Sequence, residues 1–374
     1  MKTEAADVIV IGGGIHGCSS AYHLASRGAR VVLLEADYCG RHASGVNAGG
    51  VRTLGRPVPE IPLALASREL WHRLRELIGD DGNFEASGQL KVAENEGEIA
   101  ILKARVDLLA SHGFMHEVLV DRETVRELIP SITPTVAAGI WVKDDGHALP
   151  YRAVTAFRRA AERCGARVYE QTAVARIERV GTRWKVGTAH GAFEATHVVN
   201  AAGAWAANLA AQVDEQVPAK PGGLMLMVTQ RVAPFIKPVL GAAVRPLSFK
   251  QFDNGTVVIG GALECSVDFE DKHAELDFSR LSRSARIVTD LFPFLKHVGI
   301  NRAWSGVEAF TPDKLPVIGP SRKAEGLVHA FGFSASGFQL GPAVGKMVSE
   351  LILDGRSSMA LDAFAVDRFG VVSG

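Results

Sequence analysis

A glycine-rich turn between two apolar segments constrains the fold of this chain more than any other feature. Residues Asp7 to Glu35 read DVIVIGGGIHGCSSAYHLASRGARVVLLE, and the apolar run Val8 to Ile11 is typical of a strand buried on both faces. Three glycines follow with G-x-G-x-x-G spacing: Gly12, Gly14 and Gly17. A helical pattern and a second apolar strand come next. The segment therefore predicts a βαβ unit that holds a dinucleotide pyrophosphate at the N-terminus of its helix.

Each residue type in this unit has a physical reason. Gly12 permits a sharp turn, Gly14 allows the backbone to approach the pyrophosphate, and Gly17 allows close packing of helix and strand. Glu35 ends the second strand, where a carboxylate accepts hydrogen bonds from ribose hydroxyl groups. Because the same carboxylate repels a 2′-phosphate, the sequence argues against NADP.

Composition limits the kinds of partner. The 374 residues are enough for two domains, and 41 basic residues balance 41 acidic ones, which predicts no binding to nucleic acid. No apolar run reaches membrane-spanning length, so we expect no membrane span. The cysteines are scattered without metal-binding spacing, which predicts reduced thiols, no metal site and a cytoplasmic location. They are Cys18, Cys39, Cys164 and Cys265.

The alternation of patterns along the chain predicts two interleaved domains. Segments with α/β character occupy 1–80, 148–213 and 300–374, whereas 81–147 and 214–299 combine strands of a mixed sheet with helices. We therefore expect an α/β protein with a Rossmann-type cofactor-binding domain assembled from the first three segments. The other two segments form an inserted α+β substrate domain on a mixed, largely antiparallel sheet.

Four local predictions are specific enough to test. Apolar periodicity predicts one helix over Leu63 to Ile78, and Gly88 suggests a short hairpin within Phe84 to Ala93. Asn254-Gly255 predicts a hairpin turn between two later strands. The proline at position 342 predicts that the last long helix begins near it.

Four motifs together point to a family. They are GGGIHG, the small-residue run ASGVNAGGVR, VVNAAGAWA, and TPDKLPVIGP followed by GFSASGFQLGPAVG. In their order along the chain, they resemble the D-amino-acid-oxidase family of flavoenzymes. Within that family the chain is similar to sarcosine oxidase β-type chains, glycine oxidases, and opine or hydroxyproline dehydrogenase subunits. The resemblance implies FAD across the large domain, with substrate between the flavin and the sheet of the second domain.

The resemblance also implies which residues contact FAD. The glycine loop would hold the pyrophosphate, the run ending at Gly50 would border the isoalloxazine, and the backbone of Val174 would meet adenine. The glycine-rich segment before the last helix would lie at the pyrimidine edge of the flavin. The predicted FAD residues are Gly12, Gly14, Ile15, His16, Gly17, Glu35, Ala36, Ser44, Ala48, Gly49, Gly50, Val174, Ala202, Gly203, Trp205, Gly332, Ser336, Gly337, Phe338 and Gln339.

The reaction implied is oxidation of a carbon–nitrogen bond by hydride transfer to flavin N5. Substrates would be amino acids or secondary amines: D-amino acids, N-alkyl amino acids, imino acids or opines. Arg52 resembles the carboxylate-binding arginine of monomeric sarcosine oxidases, and Arg56 and Lys250 are further candidates. Glu308 stands where glycine oxidases have an arginine, which predicts contact with a second substrate cation. We therefore predict Arg52, Lys250 and Glu308 as substrate-pocket residues.

Two departures from the relatives predict how the flavin is held and reoxidised. Gly306 replaces the cysteine that tethers FAD in monomeric sarcosine oxidases, which predicts non-covalent FAD. Val258 replaces their oxygen-activating lysine, which predicts a dehydrogenase that passes electrons to a partner chain or another acceptor. Two alternatives remain: an NAD-dependent dehydrogenase, and a non-catalytic FAD-binding subunit of a hetero-oligomer.

Overall fold

The computed structural model describes residues 3–370. A six-stranded sheet is built around the N-terminal βαβ unit, and it is parallel except for its first edge strand, Val317–Pro320. In spatial order its strands are Val317–Pro320, Leu327–Phe331, His197–Asn200, Val8–Ile11, Val31–Leu34 and Arg167–Tyr169.

Both faces of this sheet are covered, which explains the unbroken apolar run of its central strand. Val8 and Val10 pack into a core formed with the helices on one face. Ile9 and Ile11 pack on the other face, against residues of a four-stranded sheet such as Trp184. The strands of that second sheet, in spatial order, are Thr3–Ala5, Gly191–Ala195, Arg183–Thr188 and Val174–Val180.

Three helices form a close layer on the first face. Gly337–Leu353 packs against Ile15–Ala25 and Ile61–His72. A Cβ atom at Gly345 would lie 2.1 Å from the hydroxyl oxygen of Ser19, so glycine there lets the two helix backbones approach closely. The last long α-helix, Gly337–Leu353, therefore packs directly on the helix that follows the glycine loop.

An eight-stranded sheet forms the other half of the molecule. Its neighbouring strands are antiparallel apart from one parallel pair, Val239–Ala242 with Gln89–Ala93. Its strands, in spatial order, are Ile300–Phe310, Lys220–Thr229, Val257–Cys265, Ser248–Gln251, Val239–Ala242, Gln89–Ala93, Ala138–Val142 and Val118–Asp121.

Short pairs and helices complete the described chain. Gly50–Val51 pairs with Gly146–His147, and Val267–Asp268 pairs with His273–Ala274. The remaining α-helices are Ala43–Val46, Leu74–Ile78, Glu96–Ser111, Arg122–Leu128, Pro150–Arg163, Ala206–Ala211 and Phe278–Leu291. The 3₁₀ helices are Val58–Glu60, Gly203–Trp205, Pro293–His297, Asp362–Phe364 and Val366–Phe369.

The predicted fold class is confirmed, while the division of the chain into domains stays a prediction. Strand Ile300–Phe310, which the sequence assigns to the cofactor-binding segments, is hydrogen-bonded within the eight-stranded sheet. The hairpin at Asn254-Gly255 is present between Ser248–Gln251 and Val257–Cys265.

Three local predictions are wrong. The predicted helix over 63–78 is two helices, because Arg73 leaves the helical conformation at φ −108° and ψ 16°. Residues 84–93 form no hairpin, since strand Gln89–Ala93 pairs with two distant strands instead. The last long helix begins at Gly337 rather than near Pro342, which lies inside it.

Candidate active site

A cavity of about 810 Å³ extends from the glycine loop to the eight-stranded sheet. At one end it is lined by Gly12, Glu35 and Val174, and at the other by Leu226 and Gly241. The carboxyl ends of the parallel strands therefore face a space that the eight-stranded sheet closes on the other side. Ligands of open α/β sheets bind at this end of the strands.

The glycine loop needs glycine for the reasons that the sequence suggests. Gly12 has φ +104°, and a Cβ atom there would lie 2.3 Å from the Ala201 carbonyl oxygen. A Cβ atom at Gly17 would lie 1.8 Å from the Gly12 carbonyl oxygen. The Gly13 amide donates a hydrogen bond to Glu35 Oε2 at 2.6 Å, which ties the loop to the end of the second strand.

The loop and its surroundings fit a dinucleotide. The N-terminus of helix Ile15–Ala25 meets the cavity at Gly14, and its peptide dipoles favour an anion there. Gly50 and Gly203 line the cavity, and a Cβ atom at either would meet no heavy atom within 4 Å. Space for a ligand therefore lies directly against this backbone.

Most of the predicted FAD residues lie together. All of them line the cavity except Ile15, Gly17 and Gly49, which lie behind its wall. Gly17 serves packing, as described above, and the Ile15 amide donates to Ser44 Oγ at 3.0 Å. Gly49 has φ +73° and would clash with the Ala148 carbonyl if it carried a side chain.

The segment before the last helix is fixed by buried contacts. Gly332 has φ +74°, and the ring of His16 stacks on Phe333 with centroids 3.6 Å apart. Burial lowers the pKa of His16 to about 3, so the ring is neutral at physiological pH.

Arg56 holds this segment in place through hydrogen bonds of its guanidinium group. Its Nη1 donates to Glu60 Oε2 and to the Ser336 carbonyl, each at 3.0 Å, and its Nη2 donates to Gln339 Oε1 at 3.1 Å. The side chain is 1% exposed. The guanidinium group of Arg56 is therefore occupied by hydrogen bonds to the wall of the cavity, although the sequence made Arg56 a candidate for binding the substrate carboxylate.

Arg52 lines the cavity just beyond the small-residue run. Its Nη1 donates to the Leu54 carbonyl at 2.8 Å, and the pKa of Arg52 is lowered to about 10 by burial and then by the charge of Arg56. Buried Asp145 accepts hydrogen bonds from the amides of Thr53 and Leu54. These bonds fix the backbone that presents Arg52.

Glu308 lines the same cavity from strand Ile300–Phe310. Its Oε2 accepts a hydrogen bond from the Ala335 amide at 2.8 Å, and burial raises the pKa of its carboxyl to about 7. Because its pKa is about 7, Glu308 can change its charge close to neutral pH. Gly306, which carries no charge, lies two residues earlier on the same strand and also lines the cavity.

Lys250 lies behind the cavity wall. The side chain is fully buried, its Nζ donates to the carbonyl oxygen of Ala48, and burial lowers its pKa to about 7. In the sheet it lies directly opposite Val258. The structure therefore places Lys250 beneath the small-residue run and not on the surface that a substrate would contact.

Sequence reasoning missed several polar residues of the cavity, and Gln89, Lys91 and Lys272 are examples. Gln89 and Lys91 line it from strand Gln89–Ala93, and Lys272 lines its dinucleotide end, where Nζ is 3.2 Å from Asp37 Oδ2. The alternation of polar and apolar residues in QLKVA was the available signal. A strand facing solvent on one side gives the same pattern, so the sequence did not distinguish the two.

Other kinds of site are not found within residues 3–370. No group of three or more His, Cys, Asp or Glu side chains there could hold a metal ion. In the same range no helix is both long enough and apolar enough to cross a membrane. The cysteines are unpaired thiols, and none of them lines the cavity.

The parallel sheet, the glycine loop and the long cavity define a dinucleotide-binding protein whose ligand site is closed by the eight-stranded sheet. Comparison with known families makes this specific. The chain belongs to the DAO family of FAD dependent oxidoreductases, whose model matches residues 7–351. It is therefore an FAD-dependent enzyme by family, as the resemblance implied.

Three relatives illustrate the range of the family. The chain is 28% identical over 410 residues to hydrogen cyanide synthase subunit HcnC of Pseudomonas protegens, covering 97% of this chain and 96% of that one. It is 29% identical to mitochondrial sarcosine dehydrogenase of Mus musculus, covering 98% of this chain but 42% of the mouse protein. The crystal structure of L-proline dehydrogenase from P. horikoshii matches with a TM-score of 0.91, 28% identity and 98% coverage of both chains.

Proposed function

We propose that the protein oxidises the carbon–nitrogen bond of an amino acid or secondary amine that carries a carboxylate. The observation that carries this proposal is Arg52, a cation that lines the cavity beside the small-residue run. Within residues 3–370 its side chain donates to a single acceptor, the Leu54 carbonyl. Two relatives support the substrate class, since they are named for sarcosine and L-proline, both secondary amines.

Arg52 would hold the substrate carboxylate. A guanidinium binds a carboxylate through two parallel hydrogen bonds, which fixes the orientation of the neighbouring carbon. Bound FAD supplies the electron acceptor for the hydride that leaves that carbon. The backbone hydrogen bonds to Asp145 would keep Arg52 in place without occupying its remaining donors.

Glu308 would act on the nitrogen side of the substrate. Above its pKa of about 7 its carboxylate can accept a proton from a bound ammonium group, and the amine must be neutral before hydride leaves. The partial burial of Glu308 strengthens its attraction for a cation. A quaternary or second amino group would be attracted in the same way.

The experiment that tests the function is an anaerobic titration. The purified protein is mixed with D-amino acids, L-amino acids and N-alkyl amino acids, and bleaching of the flavin absorbance is recorded. We expect at least one carboxylate-bearing amine to reduce the flavin. If no amine does so, the protein is instead a non-catalytic FAD-binding subunit, the alternative that the sequence left open.

We further propose that FAD is bound without a covalent bond. None of the four cysteines lines the cavity, whereas Gly306 does, and the resemblance implies that Gly306 replaces the tethering cysteine of monomeric sarcosine oxidases. Acid precipitation should release all of the flavin into the supernatant. Yellow colour that stays with the pellet would contradict this proposal.

The electron acceptor is proposed to be a partner chain or another acceptor rather than oxygen. Val258 stands in place of the oxygen-activating lysine of monomeric sarcosine oxidases, and one relative, HcnC, is named as a subunit. Flavin reduced with substrate should reoxidise slowly in air and quickly with an artificial acceptor. Rapid reoxidation in air with one peroxide per flavin would show an oxidase instead. A cytoplasmic location stays a prediction.

A further inference from the structure

One strand of the large sheet presents an unusual polar face to the cavity. Gln89 and Lys91 of strand Gln89–Ala93 line the cavity, whereas Leu90 and Val92 pack into the core on the opposite face. Side chains two residues apart in a strand point to the same side. An amide and an ammonium group therefore face the same space, next to the segment that carries Arg52.

Lys91 and Arg52 are close in space and have the same charge. A Cβ atom at Gly55 would lie 3.2 Å from Lys91 Nζ and 3.8 Å from Arg52 Nη1, so the two nitrogen atoms are at most about 7 Å apart. The pKa of Lys91 is lowered by burial and then by the charge of Arg52. Two cations held this close in a partly buried site repel each other unless an anion joins them.

The carboxylates around this site already form ion pairs with other arginines. Among residues 4–370, neither Arg52 nor Lys91 has a carboxylate oxygen within 4.0 Å. The nearby acidic side chains pair with other arginines: Glu60 with Arg56 at 3.0 Å, Glu117 with Arg105 at 2.8 Å and Asp145 with Arg68 at 3.7 Å. Within the described residues, neither of these two cations therefore has a carboxylate in direct contact, although the charge of Glu117 acts on both from a longer distance.

Gln89 gives an independent sign of a ligand. Its side chain is 8% exposed, lines the cavity, and its Oε1 accepts no hydrogen bond from the part of the chain that the structure describes. Buried amides are almost always hydrogen-bonded, yet no hydrogen bond of the Gln89 Nε2 is found within the described residues either. Because Oε1 is the enclosed atom of this amide, the NH₂ group is the one directed at the cavity, where it can donate to an anion.

We propose that Arg52, Lys91 and Gln89 bind two carboxylates of one substrate, so that the substrate is a dicarboxylic amine. This inference rests on the proposed function and specifies its substrate class. Two negative charges neutralise the two cations, whereas a single carboxylate leaves one positive charge uncompensated in a partly buried site. Arg52 takes one carboxylate, and Lys91 with Gln89 takes the other.

The test compares substrates that differ in one charge. Anaerobic titrations of the holoenzyme use N-(carboxyalkyl)glycines with linkers of increasing length, each matched to an N-alkylglycine of equal chain length. The best dicarboxylic amine should bleach half of the flavin at a concentration at least about tenfold lower than its match. Equal concentrations for every pair would overturn the inference while leaving the proposed function intact.

Variants assign the preference to Lys91. Lys91→Met should bring the concentrations for the dicarboxylic amine and its matched N-alkylglycine to within about twofold of each other, mainly because the dicarboxylic amine binds more weakly, whereas Lys91→Arg should retain the preference. Lys103→Met is the control, because Lys103 lies on the exposed helix Glu96–Ser111 and pairs with Asp107. A Lys91→Met enzyme that keeps the full preference would overturn the role of Lys91.

A second readout separates binding from chemistry. Thioether analogues have sulfur in place of the amine nitrogen, so they can perturb the flavin spectrum without reducing it. A dicarboxylic thioether should bind the wild-type enzyme more tightly than its monocarboxylic match, and Lys91→Met should abolish the difference. If this holds while no amine bleaches the flavin, the proposed oxidation fails and the two-carboxylate subsite stands.

Discussion

At the scale of single residues, the site depends on charged groups whose pKa values are moved by burial. Lys250 is fully buried and Arg52 and Glu308 are partly buried, and burial disfavours the charged form of each. The structure separates their roles, however. Arg52 and Glu308 line the cavity, while Lys250 lies under the backbone of Ala48.

Arg52→Ala should weaken binding of the best carboxylate substrate. Loss of a charge-assisted pair in a site with little water costs about 2–5 kcal/mol, which corresponds to at least about thirtyfold in the dissociation constant. The measurement is the anaerobic bleaching titration. Arg75→Ala, on an exposed side chain paired with Asp81, is the control and should behave as wild type. An unchanged titration for Arg52→Ala would remove this residue from the binding site.

Glu308→Gln should change the pH profile of flavin reduction. In the wild type the carboxyl is protonated below a pKa of about 7 and ionised above it. If the ionised form accepts the substrate proton, the second-order rate constant of reduction rises with pH through about 7. The variant should lose this step and stay slow across pH 6–8. A profile shared by both enzymes would exclude Glu308 from proton transfer.

Lys250→Met should change how stability depends on pH. The pKa of Lys250 is about 7 in the folded protein and near 10.5 in the unfolded chain, so the unfolded chain binds more protons between these values. Wild type should therefore gain stability relative to the variant as pH rises from 7 to 9, by up to about 1.4 kcal/mol per pH unit. Urea unfolding at several pH values measures this. A constant difference would mean that Lys250 keeps its charge when buried.

At the scale of elements, the sequence predicted structure best where the requirement is local. The glycine loop was predictable because Gly12 needs a positive φ and Gly17 has no space for a side chain. The start of the last long helix was not predictable in the same way. Ser67 and Trp71 donate to the Gln339 carbonyl, so side chains of helix Ile61–His72 satisfy a backbone oxygen in the first turn of the last long helix, which then continues through Pro342.

Non-local pairing explains the other failures. Strand Gln89–Ala93 lies between Val239–Ala242 and Ala138–Val142, so neither of its partners is the neighbouring segment that a hairpin would need. The same arrangement turns Lys91 toward the cavity. Its role depends on a sheet formed by residues far apart in sequence. The periodicity of the strand alone does not indicate with which strands it pairs.

Gly345→Ala tests the close contact between helices. The added Cβ atom would lie 2.1 Å from Ser19 Oγ and 2.5 Å from the Ser19 carbonyl carbon, so the helices must separate. We expect a loss of about 1–3 kcal/mol in the free energy of unfolding and weaker FAD binding. Gly97→Ala, where the new atom meets only Asn95 Oδ1 at 3.3 Å, is the control. Equal stability of the two variants would show that this contact tolerates extra volume.

At the scale of the whole molecule, the cofactor should contribute directly to stability, because its site joins both halves of the chain. FAD at a hundred times its dissociation constant should raise the free energy of unfolding of the apoprotein by about 2.7 kcal/mol. Thermal unfolding with and without FAD measures this, with NAD at the same concentration as the control. An equal shift with NAD would favour the nicotinamide-dependent alternative.

The packing of the last helix on the first one has a consequence for biosynthesis. Helix Ile15–Ala25 leaves the ribosome long before Gly337–Leu353, which covers much of its apolar face. Strand His197–Asn200 likewise lacks one of its hydrogen-bonded neighbours until Leu327–Phe331 has been synthesised. The nascent chain therefore carries an incomplete cofactor site until residues 327–353 have been synthesised, and it must remain protected from aggregation during that time.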